Sequence, residues 1–336
     1  MYNHFNVANL KRGVNLKISV LGCGRWGSFI AWYLDKIGHE VKMWGRKDSH
    51  HLQEIKTLHR NAYLKFPDSI NVTDDLKECL TFSNTIIISI SAQSLREFSE
   101  SLNALGVNLN DKTFVLCMKG IEENTGKRLS QVVKESVLSE INIAVWVGPG
   151  HVQDFARDIP NCMVIDSENN SIKNYLVENF SSNLIRFYYG TDLLGNEIGA
   201  AAKNVMGIAA GILDGMNYES LKGALMSRGT REIARLIKAM GGSEMSAYGL
   251  AHLGDYQATL FSPHSNNRKF GEFLVIGKQY DKLAEGVPTS HAILKLGEKY
   301  GVELPICRAV YESVTGKTVP EKAIAGLFLR SIKNEF

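Results

Sequence analysis

At 336 residues the chain is longer than one hydrophobic core usually covers, so two domains are expected. A composition of 44% hydrophobic and 22% charged residues is that of a globular protein and excludes a disordered chain. The 38 basic and 35 acidic residues leave a net charge of +3, too near balance for general attraction to nucleic acid or to an anionic membrane. Cys23, Cys79, Cys117, Cys162 and Cys307 show no C-x-x-C spacing and no histidine at ligand distance, which predicts reduced thiols and a cytoplasmic location. The first fifteen residues, read as an extension, lack an apolar signal core, and no run reaches the length of a membrane span.

In chain order, Leu16–Leu21 is a short apolar run that predicts a buried parallel strand. It feeds Gly22-Cys23-Gly24-Arg25-Trp26-Gly27, a full G-x-G-x-x-G. Phe29, Ile30, Tyr33, Leu34 and Ile37 then recur at helical spacing, Gly38 supplies a stop, and His39–Trp44 reads as a second strand ending at Gly45-Arg46. Strand, glycine turn, helix and strand in about thirty residues is the setting a dinucleotide site requires. Gly22 permits the tight turn, Gly24 lets backbone approach a pyrophosphate, and Gly27 lets helix pack on strand. The open alternative is a glycine turn serving another nucleotide-like cofactor in a different α/β fold.

A helix is predicted over Asp48–Leu58 and a loop around Pro67. Strands are predicted at Asn84–Ile90, Thr113–Met118, Ile143–Val147, Cys162–Asp166 and Leu184–Tyr188. Between them a helix capped from Ser91–Ser94 runs towards Leu105, and Thr125 opens another through Val133. This alternation predicts a mostly parallel, Rossmann-like doubly wound sheet over residues 1–190, with ligands at the strands' carboxyl ends, where Ser91, Lys119 and Gly148–Gly150 fall.

From residue 191 to 336 the pattern is helical, with stretches near Leu221–Met240, Lys269–Gly277, Ser290–Tyr300 and Ile306–Thr315. Ala200, Ala201, Ala202, Gly207, Ala209, Ala210 and Gly211 mark a central helix that others approach closely. Ordinary packing accounts for the alanines but not for Lys203 among them. A buried lysine is costly unless partnered, so Lys203 either reaches solvent along its stem or is functional. Asp255, with Thr259 four residues on, is a charge partner for it or a helix cap.

With these residues in place, the sequence resembles the bacterial type of NAD(P)-dependent glycerol-3-phosphate dehydrogenase, from about Lys17 to Pro305. The resemblance is carried by the Gly22–Gly27 turn, Trp44-Gly45-Arg46, Lys119-Gly120-Ile121-Glu122, Gly148-Pro149 and Gly199-Ala-Ala-Ala-Lys203-Asn204. Asp214-Gly215, Ser227-Arg228-Gly229, Gly249–Asp255, Asn267-Arg268 and Glu285-Gly286 follow in family order. It implies an N-terminal cofactor domain and an all-helical substrate domain interconverting dihydroxyacetone phosphate and sn-glycerol 3-phosphate. Lys203 would be general acid or base, Lys119 would hold and polarise substrate, and Asp255 with Thr259 would orient Lys203. Gly148, Asn204, Asn266 and Asn267 would join Lys119, Lys203 and Asp255 around the substrate. Cofactor contacts would come from Gly22, Gly24, Arg25, Trp26, Gly27, Arg46, Ser91, Lys119, Val152, Asn266 and Glu285. No metal is needed, since lysine takes the Lewis-acid role, and a homodimer is expected.

Two positions depart from the family pattern. Asn266 stands where an arginine is usual, leaving Arg268, Lys269 or His264 to supply the charge. Gly150-His151 replaces the usual Ser-Phe. The second strand ends in Arg46-Lys47 without an acid, which favours NADP while leaving NAD open. A ketopantoate-type or other 2-hydroxyacid reductase, and a dinucleotide sensor without turnover, are the competing functional readings.

Overall fold

The computed structural model describes residues 14–332, 334 and 335, so the extension expected over residues 1–15 lies outside the described residues except for its last two positions. The chain divides into two compact units. The first comprises residues through Met118, Val132–Trp146 and Gly150–Thr191; the second comprises Lys119–Gln131, Val147–Pro149 and everything from Asp192.

The first unit is built on eight strands: β1 (Lys17–Leu21), β2 (Glu40–Trp44), β3 (Asn71–Thr73), β4 (Thr85–Ile88), β5 (Thr113–Leu116), β6 (Asn142–Val147), β7 (Asn161–Ser167) and β8 (Ile185–Tyr189). They form one sheet in the order β3-β2-β1-β4-β5-β6-β7-β8. Strands β1 to β6 pair in parallel, with Ile18 opposite Val41 and Thr85, and Leu21 opposite Trp44 and Ile88. Ser167 Oγ at the end of β7 donates to the Ile143 carbonyl at the start of β6, and β7 pairs with β8 in parallel. Each of β1 and β2 buries all but its first residue, as strands covered on both faces must.

Seven helices connect the strands: α1 (Arg25–Lys36), α2 (His50–Leu58), α3 (Leu76–Phe82), α4 (Leu95–Asn103), α5 (Leu129–Ser136), α6 (Val152–Phe155) and α7 (Asn170–Phe180). Helix α1 turns Phe29, Ile30, Tyr33 and Leu34 inward, where Phe29 stacks on Phe155 at 4.7 Å between centroids. Trp146 fills the same core, edge-on to Phe187.

Several expectations shift here. Helix α5 begins at Leu129 rather than Thr125, because Gly126 takes the left-handed conformation and Ile121 bridges Arg128 across a tight turn. Thr125 instead bonds the Glu122 carboxylate within that turn. Neither Ser91 nor Ser94 caps the following helix with its side chain. Helices α3 and α7 were not anticipated, although each carries a cap: Asp75 accepts from Glu78 N at 3.0 Å, and Asn169 accepts from Ser171 N and Ile172 N.

The second unit is helical, with α8 (Leu193–Gly215), α9 (Lys222–Ala239), α10 (Asn266–Val275), α11 (Gly286–Lys299), α12 (Pro305–Val314) and α13 (Pro320–Phe328). Among the described residues no strand follows Tyr189. The apolar helix α8 is buried along nearly its whole length, because α10 crosses it almost at backbone contact. A Cβ on Gly211 would stand 1.8 Å from the Arg268 carbonyl, and one on Gly271 would stand 2.2 Å from the Ile208 carbonyl, so both positions require glycine. Helix α10 starts three residues earlier than expected, since Ser265 caps it by accepting from Arg268 N. No helix among the described residues is long and apolar enough to cross a membrane.

Candidate active site

In the sheet unit, the β1–α1 turn has the shape a pyrophosphate needs. Gly22 has φ of 117°, and a Cβ there would lie 2.1 Å from the Ser89 carbonyl. Gly27 packs against Gly22 so tightly that a Cβ would stand 2.0 Å from its carbonyl oxygen. Gly24, by contrast, has open space where a side chain would be. Helix α1 starts there with no side-chain cap and no acidic residue in its first turn, so its N-terminal N–H groups and positive dipole end are offered to an anion. These residues fit a dinucleotide.

The sheet order places β2, β1 and β4 side by side, with the winding reversing between β1 and β4. Arg46 follows β2 and is exposed, Ser91 follows β4, and the glycine turn lies between them. Arg25 rests its guanidinium on the Tyr63 ring. Val152 heads α6, buried in the core of this unit, with its carbonyl accepting from Ala156 N. Gly150 is fixed by packing: a Cβ would stand 2.4 Å from the Phe155 ring.

In the helical unit, a second cluster assembles from three separate stretches. Lys203 projects from the middle of α8, Lys119 follows β5, and Asp255 closes a short helical turn at Leu253–Asp255. One Asp255 oxygen takes both lysines, Lys119 Nζ at 2.6 Å and Lys203 Nζ at 3.2 Å. Asp255 is 1% exposed, against 17% and 12% for the two lysine side chains. Lys203 also donates to Thr259 Oγ1 at 2.9 Å, and Lys119 donates to the Gly148 carbonyl at 2.7 Å. Asp255 is therefore an ion-pair partner and not a helix cap, and Lys203 does not escape to solvent.

The amides form a relay behind these charges. Gly286 N donates to Asn267 Oδ1, Asn267 Nδ2 to Asn204 Oδ1, and Asn204 Nδ2 to the Lys119 carbonyl, each at 2.9–3.0 Å. Asn204 and Asn267 thus hold the backbone that carries Lys119. Asn266, one residue before, accepts from Tyr280 OH at 2.9 Å. Glu285 stands at the start of α11. Arg268 does not replace the absent arginine: its guanidinium is committed to Asp214, Glu272 and the Ser262 carbonyl.

Support residues that sequence reasoning missed surround the cluster. His252 bonds the Gly199 carbonyl through Nδ1 at 2.8 Å, and its Nε2 meets Tyr256 OH at 2.7 Å. Burial lowers His252 to about 4, so the ring is neutral and its two bonds fix the Nδ1–H tautomer. It ties the Asp255 segment to α8 one turn before Lys203. On the Lys119 side, Glu197 of α8 accepts from Ser130 N and Oγ and from Arg128, which pins the segment after Lys119. Burial raises the Glu197 carboxyl, an effect that Arg128 and Ser130 oppose. His252 lies inside the Gly249–Asp255 motif, the signal available for it; nothing in the sequence links Glu197 to Ser130.

Comparison with known proteins gives a concordant result. The model of NAD-dependent glycerol-3-phosphate dehydrogenase N-terminus matches residues 17–173, and that of the C-terminus matches residues 192–325. A glycerol-3-phosphate dehydrogenase [NAD(P)+] of Pelodictyon phaeoclathratiforme is 35% identical over 95% of this chain and 99% of its own length. The enzyme of the same name from a Thermoanaerobacter species is 34% identical with the same coverage. The crystal structure of glycerol-3-phosphate dehydrogenase from Coxiella burnetii superposes with a TM-score of 0.86 at 27% identity, covering 94% of this chain and 99% of that one.

Proposed function

The chain belongs to the NAD-dependent glycerol-3-phosphate dehydrogenase family, and from that premise we propose that it interconverts dihydroxyacetone phosphate and sn-glycerol 3-phosphate by hydride transfer with NADPH or NADH. The observation that carries this reading is the pair of lysines sharing one buried carboxylate. Two ammonium groups against one carboxylate leave the cluster a net positive charge, suited to a phosphorylated substrate and to the negative charge that grows on a ketone oxygen during reduction.

A bound nicotinamide would supply the hydride for reduction and take it up in oxidation. Lys203 delivers a proton to the substrate oxygen and retrieves it in the reverse direction. Asp255 and Thr259 aim its Nζ, while Lys119, anchored by Gly148 and the Asn204–Asn267 relay, holds the substrate and polarises its oxygens. Asn266, its Oδ1 taken by Tyr280, keeps only a neutral amide NH2, without the charge or the forked donors of a guanidinium. In the sheet unit Gly22, Gly24, Arg25, Trp26, Gly27, Arg46 and Ser91 would hold the dinucleotide. None of the five cysteines is in a disulfide, which supports a reducing, cytoplasmic setting.

Nicotinamide absorbance, followed with dihydroxyacetone phosphate and NADH or NADPH in parallel, tests the assignment. Turnover with the phosphorylated ketone should exceed that with a phosphate-free ketoacid; the reverse order rejects the substrate. Lys203→Ala should abolish turnover and spare cofactor binding. Arg46→Ala should erode a preference for NADPH, and an unchanged preference removes Arg46 from that role.

A further inference from the structure

Helix α9 carries Arg228, Arg231 and Arg235 at i, i+3 and i+7, a spacing that puts them on one face. With Arg330 they line a cavity of about 470 Å3 in the helical unit, none of whose lining residues belongs to the lysine cluster. The rest of its wall is mainly aliphatic, including Leu225 and Val310, a construction typical of small-molecule pockets in both size and polarity.

The charges in this wall are unevenly answered. Of the two carboxylates among the described lining residues, Glu232 accepts from Ile306 N and Cys307 N at the start of α12 and feels the charge of Arg235, and the other is Glu335 near the end of the chain. Arg330 pairs with Glu303, and Arg231 lies 3.9 Å from Glu244. Among the described residues, Arg228 and Arg235 donate to main-chain carbonyls, of Glu335 and Glu303 respectively. The Nε of Arg235 is buried with no hydrogen-bond partner among the described residues, a costly state for a guanidinium.

We infer that this cavity is a second ligand site, taking a single-chain amphiphile whose anionic head, carboxylate or phosphate, sits on Arg228 and Arg235 while its alkyl chain lies along the aliphatic wall. The full chain, saturated with NADPH so that the glycine turn is filled, is titrated calorimetrically with dodecanoate, dodecyl phosphate and dodecanol below their micelle concentrations. At least one anion should bind saturably at one site per chain, the tighter of the two identifying the natural head group, and dodecanol should bind at least tenfold more weakly. Arg228→Gln with Arg235→Gln should weaken the anion at least tenfold. Ala309→Trp, which fills the cavity from α12, should remove binding altogether, circular dichroism confirming that the variant is folded. Equal binding of dodecanol, no saturable binding of either anion, or folded variants that bind like the parent would each overturn the site; if the double variant does not fold, the dodecanol comparison and Ala309→Trp decide.

Discussion

Replacing Asp255 by Asn removes the one carboxylate between two lysines while keeping the side chain's shape. Because both nitrogens touch a single oxygen, at 2.6 and 3.2 Å, they stand no more than about 6 Å apart, where two unit charges repel by about 3 kcal/mol at an effective dielectric of about 20. Breaking a buried pair by deleting one partner costs about 3–5 kcal/mol in general, and Asp255 is as buried as such residues come. A loss near 3 kcal/mol corresponds to a fall of roughly 6–12 °C in the thermal midpoint of a unit this size. Displaced lysines should also lower kcat/KM for dihydroxyacetone phosphate by about 10²–10³, the usual effect of losing one group that stabilises an oxyanion. Differential scanning fluorimetry and steady-state kinetics measure the two effects, with NADPH fluorescence as a check that cofactor still binds. A variant within threefold of the parent in kcat/KM and within about a degree in midpoint would mean that Asp255 does not hold the lysines, and the proposed mechanism would lose its centre.

The neutral His252 sets an acid limit on stability. Its folded pKa of about 4 lies below the unfolded 6.5, so the unfolded chain binds a proton first, and stability falls as pH drops from about 6.5 towards 4, by on the order of 3 kcal/mol in all. His252→Asn should be less stable at pH 7 yet lose less between pH 7 and pH 5; equal losses in the two proteins would exonerate the histidine. Gly211→Ala forces a methyl group against the Arg268 carbonyl and should cost about 1–3 kcal/mol, with activity falling as α10 moves. Gly326→Ala in α13 meets nothing within 4 Å and should stabilise by up to about 1 kcal/mol. Thermal midpoints of the two alanine variants moving in the same direction would contradict this account of close packing.

The strands, the glycine turn and the small-residue helix were legible in the sequence because each is dictated by local rules: burial on both faces, a left-handed turn, the exclusion of Cβ atoms at a crossing. Lys203 stood out for the same reason, as a charge in an apolar helix. What the sequence alone could not decide was partnership. As a bare residue Asp255 read more readily as a helix cap than as a counter-ion, and the chain brings it, across 52 residues from Lys203 and 136 from Lys119, onto both nitrogens. Asn204 and Asn267 read as substrate donors, and the fold makes them a relay that fixes the Lys119 backbone. Arg268 read as a replacement cation, and Asp214 claims it. Hydrogen bonds and ion pairs between distant segments depend on which atoms the packed helices bring within about 3 Å. That selection is made by tertiary packing and leaves no periodicity in the sequence to read.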